Sequence, residues 1–142
     1  MVIIILIVQS DEIMTTLIAE AYETGSILII ILSALLIGIK TGVSEELFFR
    51  GFIGKRLIKI FGFKIGNLFQ SVIFIFPHYL TFNETPRLEF YLMMINSGVM
   101  GYIFGFITEK KGDGSIIPAI FMHGLVNITS AFILLFLSIV LN

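Results

Sequence analysis

Cysteine is absent from this chain. That removes disulfides, a thiolate nucleophile and any Cys-ligated metal. Charge is scarce. Asp, Glu, Lys and Arg make up 13% of the residues, where a soluble domain carries about a quarter. The net charge of −1 argues against nucleic acid as a partner. Strict alternation of apolar and polar residues is lacking, which disfavours strands. Internal repeats and low-complexity linkers are missing too. No Lys or Arg precedes Lys40, so the apolar start at residues 2–8 has no basic flank and makes a poor signal peptide.

What remains is apolar. Hydrophobic residues are 57% of 142, more than one small core can hide, so the chain belongs in a bilayer. Four apolar runs stand out: Ser26 to Val43, continuing helically to Ile53; Ile65 to Phe82; Leu88 to Ile107; and Ser115 to Leu141. Each is close to the roughly 20 residues that cross a hydrocarbon core. The expected fold is all-α, a polytopic transmembrane helical bundle of about four core spans plus a short N-terminal helix. Residues 1–24 read as an interfacial segment or the remnant of a truncated span. Residues 54–64, 83–87 and 109–114 read as polar connections, with Pro86 and Gly112 among their breakers. Lys55, Arg56, Lys59 and Lys64 crowd the first, and Lys110 and Lys111 the last. The positive-inside rule places loops 54–64 and 109–114 in the cytoplasm of a multi-pass cell-membrane protein.

Against that background residues 44–50 are an anomaly. They read Ser-Glu-Glu-Leu-Phe-Phe-Arg. A charge in hydrocarbon costs about 3 kcal/mol even on the mildest scales, so intramembrane charges mark function. The two histidines, His78 and His123, lie in similarly apolar segments. Counting from Lys55, Lys64 and Lys111, Glu45, His78 and His123 fall roughly 15, 21 and 18 Å into the membrane. Three ionisable groups on three spans thus share one layer. Glu46 and Arg50 are i,i+4 and can pair on one helix face, as can His123 and Asn127. Glu45 points about 100° away from Glu46 and need not share its partner. Gly98, Gly101, Gly105 and Gly124 allow close helix approach, and Asn96 and Ser97 can hydrogen-bond between helices. Lys40 fits no pattern.

Glu45-Glu46-x-x-x-Arg50, Phe74-x-x-x-His78 and His123-x-x-x-Asn127 resemble the three signature motifs of the CAAX-protease and bacteriocin-processing (CPBP, or Abi) family. That family includes the type II CAAX prenyl endopeptidases. The motifs come in the family's order on successive spans, and the likeness covers about residues 26–140. The resemblance implies that residues 25–142 form a transmembrane catalytic core. It implies an intramembrane endopeptidase acting near the cytoplasmic face on CAAX-type or bacteriocin-like peptides. The partners implied are a peptide or protein substrate, prenylated in the CAAX case, and the lipid bilayer.

Peptide hydrolysis needs an activated water, a proton route and donors for the oxyanion. A buried carboxylate is a general base, and Glu45 is the candidate, with His78 sharing the water or shuttling its proton. His123 and Asn127 would donate to the oxyanion. Glu46 and Arg50 support the helix and set the local field, and Phe74 packs to position His78. The resemblance likewise makes the first glutamate catalytic. The alternative is a divalent metal such as zinc, since Glu45, His78 and His123 form a His₂Glu set. No H-E-x-x-H is present, and the metal-free, cofactor-free reading is preferred. A second class of reading is a non-enzymatic immunity or scaffold protein that retains the fold.

Overall fold

The computed structural model describes residues 23, 26–82 and 87–141. The expected N-terminal helix in residues 1–24 and the connection at 83–86 lie outside the described residues, Glu23 apart. The described chain is helical apart from Ser26 and the turn at residues 112–116. Strands are absent among the described residues. In hydrocarbon every backbone N–H and C=O must be satisfied within the segment, so even Ile-rich runs become helices.

Helix α1 (Ile27–Glu46) starts after an extended Ser26. It runs without a break into a π-helical segment, Leu47–Gly54. There the backbone N–H of Lys55 reaches back to the Arg50 carbonyl, one residue further than in an α-helix. The wider turn carries Phe49 and Arg50 inward. Helix α2 (Lys55–Phe82) follows, broken only at Gly62, whose φ of 73° and ψ of 168° leave the helical region. Positive φ costs glycine nothing, so the break falls there. Pro77 lies within α2 without a comparable break. Helix α3 (Arg87–Phe106) ends in a second π segment, Ile107–Lys111. A wrap closes it: Gly112 N–H donates to the Ile107 carbonyl and Gly114 N–H to the Thr108 carbonyl, at 2.7 and 2.8 Å. Helix α4 (Ile117–Leu141) completes the bundle.

The connections differ from expectation. Residues 54–61 are helical, and the only interruption in 54–64 is Gly62. Lys, Arg, Leu and Ile sustain a helix, and a polar composition does not end one. Residues 109–111 are likewise helical. Among the described residues two helical stretches are long and apolar enough to cross a membrane, 27–80 and 87–111, and residues 117–133 form a shorter apolar helix. The first stretch has 54 residues. Straight, it would extend about 80 Å, against a hydrocarbon core of about 30 Å.

Helix α1 packs chiefly on α4, and α2 on α3. The α1–α4 crossing is tight because two glycines meet. A Cβ on Gly42 would lie 3.0 Å from both the Gly124 nitrogen and the Ile120 carbonyl. That crossing sits one turn from Glu46 on α1 and beside His123 on α4.

Burial is inverted relative to a soluble protein. Glu45, Glu46, Arg50, Asn67, Gln70, Ser71, Ser97, Thr108 and His123 are buried. Leu28, Leu36, Ile60, Leu88, Ile95, Ile117 and Phe121 are exposed. An apolar exterior around a polar interior matches lipid as the surrounding solvent. Lys40 is on the exposed surface.

Candidate active site

The buried centre is built on Glu46. Its Oε1 accepts from Arg50 Nη1 at 2.8 Å, the i,i+4 pair expected from the spacing. The same Oε1 lies 2.8 Å from His123 Nδ1. Glu46 is 0% exposed and Arg50 2%. Arg50 is held on other sides as well. Its Nη2 donates to the Gly101 carbonyl at 3.1 Å, and its guanidinium lies 4.3 Å from the centre of the Phe74 ring and 5.3 Å from that of Phe104. A dry ion pair is favourable only with such further partners.

His123 stands between two carboxylates. While Nδ1 meets Glu46, Nε2 lies 3.8 Å from Glu45 Oε2. Adjacent carboxylates 100° apart on α1 can both reach one imidazole, because its two nitrogens face different ways. The expected division gave Glu46 to Arg50 and turned Glu45 toward the histidines. Here the short contact of His123 is to Glu46, and Glu45 is the more distant partner. The ring is fixed by stacking on Phe104, with centroids 4.8 Å apart and planes at 24°. Phe74 meets it edge-on at 6.2 Å.

His78 arrives from α2. Its Nδ1 lies 3.0 Å from the Phe74 carbonyl, one turn earlier, and its ring packs on Phe74 at 4.8 Å. A carbonyl and an ionised carboxylate only accept, so Nδ1 carries the proton in both histidines. His78, His123 and Asn127 line one cavity of about 340 Å³, with Phe74, Ser97 and Phe104 also on its wall. Glu45 is not on that wall; it reaches toward it through His123 Nε2.

Several contributors had little signal in the sequence. Phe104 stacks on His123, yet it is one of 15 phenylalanines. Asn67 and Gln70 are both 0% exposed; an Asn-x-x-Gln spacing inside an apolar run was the available clue. Ser97 hydrogen-bonds the Met93 carbonyl of its own helix at 2.8 Å, not a neighbouring helix as expected. A hydroxyl one turn above a carbonyl finds that acceptor first.

The donor set for a metal does not assemble. Among the described residues no three His, Cys, Asp or Glu side chains gather so as to hold a metal ion. Glu45, His78 and His123 therefore do not form a ligand triangle in this arrangement.

No curated protein and no solved structure matches the chain. Residues 14–129 match the family described as type II CAAX prenyl endopeptidase Rce1-like. That match covers most of the chain, on helices apolar enough to span a membrane. The chain belongs to this Rce1-like family of CAAX-type intramembrane proteases, as an integral membrane protein acting on a peptide or protein substrate.

Proposed function

We propose that this protein hydrolyses peptide bonds with a water activated by Glu45, without a metal. The observation that carries the reading is His123 set between Glu46 at 2.8 Å and Glu45 at 3.8 Å. Glu46 fixes the ring and its tautomer, as an orienting carboxylate does for a catalytic histidine. Nε2 then faces the second carboxylate. A gap of 3.8 Å is too long for a hydrogen bond. It is short enough for one water, seated beside the line of centres, to bond to both groups.

The chemistry follows from that seat. Glu45 takes a proton from the water as its oxygen bonds to the scissile carbonyl carbon. The carboxamide of Asn127 donates to the oxyanion that forms. The proton then passes to the leaving amine as the C–N bond breaks, with His78 Nε2 as the relay on the cavity wall. With Nδ1–H given to Glu46, His123 turns Nε2 toward that water.

The membrane arrangement extends the same reading. Four crossings, near 26–53, 65–82, 88–107 and 115–141, divide the 54-residue helical stretch at Gly62. The basic segments 54–64 and 109–114 then face the cytoplasm of the cell membrane. Residues 25–142 are the catalytic core. The substrate is a prenylated C-terminal peptide.

The test is a farnesylated CAAX reporter presented to the protein in proteoliposomes. The parent cleaves it, and Glu45→Gln, His78→Ala and His123→Ala abolish cleavage while the protein still inserts and folds. Turnover survives exhaustive chelation; loss that zinc restores would sink the metal-free mechanism. A parent that cleaves nothing, with all three variants supporting the parental cellular phenotype, would instead identify a non-enzymatic immunity or scaffold protein.

A further inference from the structure

Behind the Glu46–Arg50 pair, away from the cavity, lies a second buried polar group that the hydrolytic chemistry does not use. Asn67 and Gln70 sit on α2, two turns and one turn before Phe74. Gln70 Nε2 donates to the Gly101 carbonyl at 2.8 Å and to Asn67 Oδ1 at 2.9 Å. Asn67 Nδ2 donates to the Tyr102 carbonyl at 3.0 Å. The Gly101 carbonyl is the one that also receives Arg50 Nη2 at 3.1 Å. One backbone oxygen of α3 thus ties the active-site arginine to a glutamine of α2.

Two glycines make the arrangement possible. A Cβ on Gly105 would overlap the Asn67 carboxamide. A Cβ on Gly101 would lie 3.1 Å from Ser71 Cα and 3.2 Å from Phe74. With both absent, α3 lies against the amides of α2. Phe104 lies on that same clasped turn of α3, and it stacks on His123. Phe74 lies one turn beyond Gln70 and covers the guanidinium. Slippage of α2 along α3 would therefore move both aromatic walls and the anchor of Arg50 together. Inside a bilayer such amides have no water to fall back on, and their bonds are kept only where the opposing carbonyls are in register.

We propose that Gln70, assisted by Asn67, is a positioning residue for the reaction, acting through the shared Gly101 carbonyl on Arg50 and so on the Glu46–His123 pair. It rests on the proposed catalytic role of that pair. Gln70 is not on the cavity wall, so substrate binding does not depend on it. A displacement of about 1 Å in reacting groups costs up to a hundredfold in rate.

The experiment compares Gln70→Met, similar in length and without a donor, with Ser71→Ala. The Ser71 hydroxyl bonds the Leu68 carbonyl of its own turn at 2.7 Å. Two readouts are taken on the full chain in detergent micelles. Cleavage of the farnesylated reporter gives kcat and KM, and ¹⁵N-histidine labelling gives imidazole nitrogen shifts, readily assigned because the chain has 2 histidines. In Gln70→Met kcat falls roughly tenfold or more with KM within twofold of the parent, and the His123 nitrogen shifts move while those of His78 stay. Ser71→Ala matches the parent in both. Unchanged His123 shifts in a folded Gln70→Met overturn the proposal, whether or not the parent cleaves the reporter. A parent without turnover counts against the hydrolytic reading alone.

Discussion

The two histidines occupy contrasting settings. His123 is buried, stacked on Phe104 and bonded to the Glu46 carboxylate that Arg50 also holds. His78 is half-buried, with a hydrogen bond to a carbonyl of its own helix and the cavity in front of it. The first region is a cross-braced joint between α1 and α4. The second is one side chain standing on α2. The difference separates two requirements that a single catalytic layer has to meet. Charges in hydrocarbon need partners on every side, while a proton carrier needs room beside one nitrogen. Substitutions in the joint should therefore cost stability first, and substitutions on the open wall should cost turnover first.

The largest effect is expected at Arg50. Arg50→Leu keeps the bulk but leaves Glu45 and Glu46 beside His123 without the guanidinium. Breaking a buried pair by removing one partner costs about 3–5 kcal/mol. Reversible unfolding in mixed detergent micelles measures it. A loss below about 1 kcal/mol, the range of an exposed pair, would mean that the joint is solvated and that the contrast drawn between the regions is false.

Next comes the crossing that brings α1 to α4. In Gly42→Ala the new methyl meets backbone atoms of Gly124 and Ile120 at 3.0 Å, and backbone cannot step aside without shifting the helix. Overpacking of this kind costs about 1–3 kcal/mol. In Gly124→Ala the nearest atom is the Gly38 carbonyl oxygen at 3.3 Å, and the cost is smaller. Equal unfolding free energies for the two variants would show that the crossing gives on both sides.

Much of this was legible in the residues. Apolar runs announced helices in lipid, and the i,i+4 spacing of Glu46 and Arg50 was enough to pair them. The pairing of His123 with Glu46 was not legible. It depends on the Gly42–Gly124 crossing and on the relative rotation of α1 and α4, which are properties of two helices together. The helical state of residues 54–61 was hidden by composition, since basic residues mark a membrane edge without ending a helix. For Gln70 and Asn67 the Asn-x-x-Gln spacing was a clue without a partner, because their acceptors are backbone carbonyls 31 and 35 residues away on another helix.

The smallest effect on stability, paired with a full loss of function, is expected at His78. The side chain gives up one hydrogen bond to a carbonyl of its own helix, worth about 1 kcal/mol net, and part of its packing on Phe74. The half-buried site opens on the cavity, so truncation enlarges an existing space instead of creating a sealed void. His123→Ala removes a bond to an ionised carboxylate, worth about 1.5–3 kcal/mol, and the stack on Phe104 as well. His78→Ala should therefore unfold close to the parent and His123→Ala clearly earlier, with cleavage of the reporter lost in both. The reverse order of stabilities would place the structural burden on α2 and leave His123 as the exposed reactive group. The assignment of Glu46 as the residue that orients its ring would then fall with it.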